Sequence, residues 1–494
     1  MAVEMVTPKE RLAFNFGRGI VPSQQAIDAA LAADTRPTFA TALFAEPRDW
    51  GYKGLIAFTA VLLLRPQDTF KALTPFHLAE VCALIGIAPM LVHRFSRNLS
   101  VFRITIETVA LFAFGGVIAA TLPFSIWPGG VFEVLEDYLK IVVVFILMMN
   151  TLTSVKRIEQ LTWLILMCSG YIAARAVFDY ARGVNLVEDG RVYGAVGGIF
   201  GNPNDLALNM VTYLPVALMI ALSTRHSTLR RLTAAFIVVL MLATIVFTKS
   251  RGGALGLGGI LVAMLFLGRQ IRPGFAAMAL GGVLLATPFL PTTFWDRMSS
   301  IFNEEEDRTK YTGSSEARRE LIAEGIDTFM AFPLTGVGAG QFKNYNPPGR
   351  RERWRETHNA LIQVAAETGI LGLVVFSFLI VRGAIAAATT RRLLARPRKN
   401  WMPDPLRAVL SDTDRRILAG YTAAMSAGLA GWFICAMFSS VAYSWTFYYL
   451  LALIVAVREH ARVRLKAARA IVGGANDAAV RANGFSRRTA RVVA

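Results

Sequence analysis

The chain has 494 residues, 54% of them hydrophobic and 17% charged, which excludes an ordinary soluble domain of this size and points to a polytopic membrane protein. Its net charge of +18 would suggest nucleic acid in a soluble protein; here it is first a matter of topology, because cytoplasmic loops gather Lys and Arg, and no nucleic-acid partner is expected. Cys82, Cys168 and Cys435 fall inside apolar segments with neither disulfide nor metal-ligand spacing, so they read as packing residues.

Residues 1–50 mix acids and bases and lack the basic head, apolar stretch and cleavage site of a signal peptide. They are predicted to form a cytoplasmic extension, helical near 24–33. About twelve apolar stretches follow, near 53–64, 75–92, 104–122, 138–152, 158–178, 204–222, 231–248, 252–268, 274–293, 358–382, 417–438 and 443–457. Several are shorter than the roughly 20 residues of a straight span, which predicts tilts or kinks. The expected fold is all-α and polytopic, with about 12 transmembrane helices. Nine spans fall within 51–293, a polar loop at 294–357 separates spans nine and ten, the last three occupy 358–457, and a basic tail takes up 458–494.

Alternate loops carry the bases. One set includes Arg94, Arg97, Arg103, Lys156, Arg157, Arg225, Arg230, Arg231, Arg269 and Arg272, and the loop after span ten adds Arg391, Arg392, Arg396, Arg398, Lys399, Arg407, Arg415 and Arg416. The opposite loops are poor in bases: Pro123 to Asp137 has none. The positive-inside rule then puts both termini in the cytoplasm and the loop at 294–357 outside. Within that loop, Glu304 to Lys310 reads as solvated charge, Ser314 to Phe332 as a helix, and Pro333 to Gly340 as a glycine-rich turn.

Against this bias, Lys249 and Arg251 sit on the outward side, flush with a span and without an acid nearby in sequence. A half-buried guanidinium is costly unless paired, so a partner from elsewhere is expected, and an anion such as phosphate suits the Arg fork. Snorkelling to lipid headgroups is the plainer alternative. Gly252 and Gly256, in small-xxx-small spacing, are expected to pack span eight tightly and so fix Arg251. His358 stands where the outer loop becomes span ten, where a neutral imidazole can take a proton from a hydroxyl; helix-end hydrogen bonding is the alternative. Glu367 lies about two and a half turns on, facing away from His358, and is expected to make an internal hydrogen bond or salt bridge. Arg318 and Arg319 on the outer helix supply further cations, or pair with Glu316 and Glu320. Contiguous acids at Glu304 to Asp307 do not converge on one ion, and no metal site is expected. Arg350, Arg351, Arg353 and Arg355 could attract an anionic substrate or headgroups.

Together these pieces resemble the O-antigen ligase and polymerase superfamily of bacterial envelope glycosyltransferases. The likeness rests on Arg251-Gly-Gly-Ala-Leu255 and on His358-Asn-Ala-Leu-Ile-Gln-Val-Ala-Ala-Glu-Thr-Gly369-Ile-Leu-Gly372. Arg318 with Gly325, the run 332–342 (Phe-Pro-Leu-Thr-Gly-Val-Gly-Ala-Gly-Gln-Phe) and Gly201-Asn-Pro-Asn204-Asp-Leu-Ala support it, so it covers about 199–373. The resemblance implies a C-type glycosyltransferase-like fold in the bacterial plasma membrane. It further implies metal-independent, inverting transfer of a glycan from an undecaprenyl-type polyprenyl diphosphate to an acceptor hydroxyl on the outer face, without a cofactor. Carried over, Arg251 and Arg318, helped by Lys249 and Arg319, would hold the diphosphate and His358 would deprotonate or orient the hydroxyl. Asn204, Gly252, Gly253, Glu367 and Gly369 would support them. The acceptor stays open between lipid A core, a growing glycan and a protein Ser or Thr, with ligase favoured. A transporter of lipid-linked glycan is the reading from another class; it would more often show paired repeats and mid-membrane charges, and a non-catalytic polysaccharide-binding or assembly protein is a further one.

Overall fold

Polar side chains set where the helices of this protein begin. The structure, a computed structural model, describes residues 50–96, 98, 100, 102–194, 200–267, 292–299, 314–350, 353–396, 404, 406 and 409–489. The extension at 1–49, the stretch 274–291, the acidic run 304–310, Arg351 and the counted bases Arg97, Arg269, Arg272, Arg398, Lys399 and Arg407 lie outside the described residues. The helices used below are α1 (Trp50–Leu64), α2 (Leu78–Ser96), α3 (Ile106–Ala120), α4 (Pro128–Thr151), α5 (Val155–Ala181), α6 (Pro203–Leu222), α7 (Thr228–Thr248) and α8 (Arg251–Leu267). They continue with α9 (Thr292–Ser299), α10 (Ser314–Ala331), α11 (Ala360–Leu394), α12 (Asp412–Ala436) and α13 (Trp445–Thr489). Thr105 caps α3, Ser154 α5, Asn202 α6, Ser227 α7, Asn359 α11 and Ser411 α12, each side-chain oxygen accepting from an otherwise orphaned backbone N–H.

Among the described residues seven helical segments are long and apolar enough to cross a membrane: Lys71–Ser96, Ile106–Phe124, α5, α6, α7, α11 and α12. The architecture is that of an all-α polytopic membrane protein; among the described residues the strands are a hairpin of two residues a side, β1 (Leu186–Val187) with β2 (Arg191–Val192). The polar stretch after 294 is not all loop: it holds α10, and α9 crosses its start. α13 runs on from the apolar segment into the basic residues after 458 without a break, so that part of the tail extends the last helix.

α6 packs on α7 and α12, α8 on α12, and α11 on α3, α12 and α13. Small residues allow the α8–α12 approach. A Cβ at Gly252 would stand 3.0 Å from the Phe438 Cβ, and one at Gly256 would strike Cys435 Sγ, which instead donates to the Gly252 carbonyl at 3.3 Å. The centre of the bundle is aromatic, with Trp432 stacked on Phe447 at 4.4 Å and Phe114 bridging Tyr138 and Phe376.

α11 is broken near its start. Gly369 has φ 67° and ψ −165°, a conformation open in practice only to glycine. The carbonyls of Ala366 and Glu367 are taken up by the N–H groups of Val337 and Gly338, each at 3.0 Å, and Ile370 N–H donates to Pro333 O at 2.8 Å. Side chains at Gly336 and Gly369 would overlap the opposing backbone, so the segment 333–340 and the broken helix interlock. Irregular backbone is tolerated there because its polar groups are satisfied inside the protein.

Candidate functional site

The ends of α5 and α7, the starts of α6 and α8, α9, α10 and the segment before α11 meet at one end of the bundle. The hairpin brings the first functional side chain. Asp189 and Gly190, at φ 63° and 62°, turn the chain between β1 and β2 and present Arg191 to the start of α6 and the end of α7. Arg191 Nη2 donates to Asn204 Oδ1 at 2.9 Å and Nε to the Thr248 carbonyl at 3.0 Å. Asn204 also receives Ser250 Oγ at 2.9 Å, and Ser250 Oγ in turn accepts from Gly253 N–H at 3.2 Å, fixing the first turn of α8.

Lys249 closes α7 in the left-handed conformation, φ 47°, and its Nζ donates to the Asp189 carbonyl at 2.6 Å. The Asp189 carboxylate pairs with Arg297 of α9, which is buried. Arg251, the first residue of α8, is buried as well, and a Cβ at Gly253 would stand 2.9 Å from that of Ala207, so no larger residue fits behind it. Arg318 on α10 is half-buried and Arg319 beside it exposed.

The electrostatics tie these groups together. Burial foremost, then the guanidinium groups of Arg297, Arg318 and Arg251, push the pKa of Arg191 down to about 9 against the opposing pull of Asp189. It stays cationic at neutral pH. Lys249 is lowered too, by burial first, with Arg297 and Arg191 adding to it and Asp189 opposing. Arg191 and Lys249 are thus held by neutral oxygens, while other cations crowd them.

His358 stands at φ 50°, its backbone N–H donating to Ser440 Oγ at 3.0 Å, and Asn359 next to it caps α11. Burial, then Arg318, Arg355 and Arg191, hold the imidazole down to about 4, so it is neutral at physiological pH. Arg191 and Arg318 act on His358, and Arg251 and Arg297 join them in acting on Arg191: base and cations form one neighbourhood. Glu367 is turned inward and accepts from Gly340 N–H at 2.9 Å and Phe342 N–H at 3.4 Å, fastening the glycine-rich segment to α11. Gly369 serves the interlock. Arg350 differs from a substrate-attracting base: it is buried, pairs with Glu324 at 3.1 Å and donates to the carbonyls of Phe342 at 2.6 Å, Tyr345, and Arg355 at 3.0 Å, so it knits the loop.

Arg191, Arg297 and Asp189 belong to this neighbourhood and are absent from the sequence-based candidates. The signal for the first was an Asp-Gly pair between short β-forming runs, which marks a hairpin and brings the base after it back towards the bundle. Arg297 follows the apolar stretch 274–293 and carries no comparable mark.

Residues 236–377 match the family model described as O-antigen ligase. The match spans Lys249, Arg251, Arg318 and His358 and stops short of Arg191 and Asn204. It supports assignment to the O-antigen ligase/polymerase superfamily, and with the apolar helices it supports a bacterial membrane protein of the glycosyltransferase type. No curated protein matches the chain.

Proposed function

We propose that the protein transfers a glycan from a polyprenyl diphosphate carrier to an acceptor hydroxyl at the outer face of the bacterial plasma membrane. The observation that carries this reading is a pair of cations, half-buried Arg191 and buried Lys249, held through neutral oxygens amid Arg251, Arg297 and Arg318 and next to a neutral histidine. Such a cluster suits a ligand that brings negative charge, and diphosphate fits the guanidinium fork.

In this reading the acceptor oxygen attacks the anomeric carbon, the bond from that carbon to the diphosphate oxygen breaks, and its electron pair leaves with the diphosphate. Arg191, Lys249, Arg251 and Arg318 stabilise the developing charge, the role that preorganised cations fill in phosphate-leaving reactions. The acceptor proton passes to the His358 imidazole. With the base and the leaving group on opposite faces of the sugar, the anomeric configuration inverts. After burial, His358 is depressed by Arg318, Arg355 and Arg191, and two of these, Arg318 and Arg191, are ones a bound diphosphate neutralises, so donor binding raises the basicity of His358 when it is needed.

The test is transfer in vitro by the purified chain given a polyprenyl diphosphate glycan and candidate acceptors. Wild type is expected to form the glycosidic product, with His358→Ala and Arg251→Ala each impaired by a hundredfold or more, ~10²–10⁴. Wild-type rates in both variants would refute the site, and movement of intact lipid-linked glycan without transfer would favour a transporter.

A further inference from the structure

A cavity of about 670 Å³ lies beside the His358 segment, within the roughly 300–1,000 Å³ of small-molecule sites. None of Arg191, Lys249, Arg251, Arg297 and Arg318 lines it. Two residues join it to the base: Ser440, a lining residue whose Oγ accepts the His358 N–H at 3.0 Å, and Glu356, two positions before the histidine. The carboxyl groups of Asp205, Glu356 and Glu367 line it, and Glu356 is close enough to act on both of the others.

The lining cations are engaged with acids. Lys140 pairs with Glu80 at 3.1 Å, Glu136 at 3.0 Å and Asp137 at 3.2 Å; Arg65 pairs with Asp68 at 2.6 Å; His77 faces Glu80 and Lys343 acts on Glu356. One buried polar atom on the lining, Gln67 Oε1, has no hydrogen-bond partner among the described residues, and such an atom calls for a ligand group, while the Tyr443 hydroxyl faces the Glu367 carboxyl. Trp445 and Phe58 add aromatic surface.

We infer that this cavity is the acceptor site, and that what enters it is the neutral, polyhydroxylated end of a carbohydrate chain, without phosphate. The inference rests on the transferase reading for the word acceptor; the chemistry of the cavity stands on its own lining. Carboxyl groups exchange hydrogen bonds with sugar hydroxyls, aromatic surface covers the sugar's C–H faces, and a phosphate would find the Lys140 and Arg65 cations already taken by acids. Donor and acceptor then occupy two differently charged compartments, with His358 between the cations and the carboxyls. The division keeps the donor's diphosphate from settling where the acceptor belongs.

The experiment measures equilibrium binding to the purified full-length protein of three probes: a short neutral oligosaccharide, the same oligosaccharide with one phosphate monoester, and a Ser/Thr peptide. Wild type is expected to prefer the neutral sugar by at least about tenfold. Glu356→Lys and Asp205→Asn are expected to weaken neutral binding and narrow that preference, while Arg251→Ala leaves it intact and loses binding of a polyprenyl diphosphate. Equal or tighter binding of the phosphorylated sugar, preference for the peptide, or loss of neutral-sugar binding in Arg251→Ala would each overturn the proposal. The wild-type comparison decides even where a variant does not fold. Selective sugar binding without any transfer from the polyprenyl diphosphate glycan would leave the carbohydrate cavity standing and remove the transferase reading.

Discussion

Two groups of arginines sit in this bundle, and they are satisfied in opposite ways. Around Glu107, on α3, Arg458 donates to both carboxylate oxygens at 2.8 and 2.7 Å and Arg382 Nε to Oε1 at 2.8 Å. Glu459 takes Arg458 at 2.8 Å, Arg462 at 2.9 Å and Arg103 at 3.2 Å. Every guanidinium there has a carboxylate, and the network ties α3, α11 and α13 together. Around Arg191 the hydrogen bonds go to an amide and a backbone carbonyl, and Lys249 likewise uses a carbonyl. The first arrangement is complete by itself and serves cohesion. The second holds Arg191 and Lys249 by neutral oxygens, with the Asp189 carboxylate paired to Arg297 and shared among several cations, which is useful to a protein that binds an anion.

That contrast can be broken most forcefully at Glu107. Glu107→Ala removes the carboxylate that pairs with both Nη atoms of buried Arg458 and with Arg382, leaving Arg458 only Glu459, and is expected to cost about 3–5 kcal/mol, seen as a lower denaturation temperature or loss of folded protein in detergent. Arg251→Ala is expected to do the reverse, losing about 10²–10³ in transfer rate while the denaturation temperature changes little. A large stability loss there would move Arg251 into the structural class. Gly369→Ala should cost about 1–3 kcal/mol by backbone strain alone and shift His358 with it, lowering both stability and rate.

A subtler effect lies in pH. The base works when neutral, so activity is present above its pKa and is lost below it. In the unliganded protein the pKa is about 4, held there by burial and by Arg318, Arg355 and Arg191. The acid limb of kcat/KM is therefore expected near pH 4 and that of kcat higher, because bound diphosphate opposes those cations. Arg318→Ala should raise the limb of kcat/KM; no movement would detach Arg318 from the base. The smallest effect is expected at exposed Arg319, where replacement by Ala should alter the transfer rate by no more than about twofold, in line with the weak energetics of surface charges.

Much of the helical layout was legible because apolar runs of span length leave few other choices, and Ser314 to Phe332 read as a helix from its own face. Arg251 was legible through its clash with the charge bias, and His358 through its place at a helix start. Arg191 carried only the Asp-Gly hairpin signal before it, which does not say that the hairpin lays the base against α6 and α7; that is set by tertiary packing. The carboxyl cavity was invisible for the same reason: Asp205, Glu356, Glu367 and Ser440 come from separate segments of the chain, and only tertiary packing makes them neighbours. The glycines at 336 and 369 could be read as turn or packing residues, but not as two halves of one joint.

That joint also bears on biogenesis. A helix interrupted at Gly369 reaches the bilayer with the carbonyls of Ala366 and Glu367 unsatisfied, and each such group costs several kcal/mol in hydrocarbon. α11 therefore depends on the segment 333–340, which lies just before it in the chain, to take up these groups, and the placing of His358 is tied to that pairing.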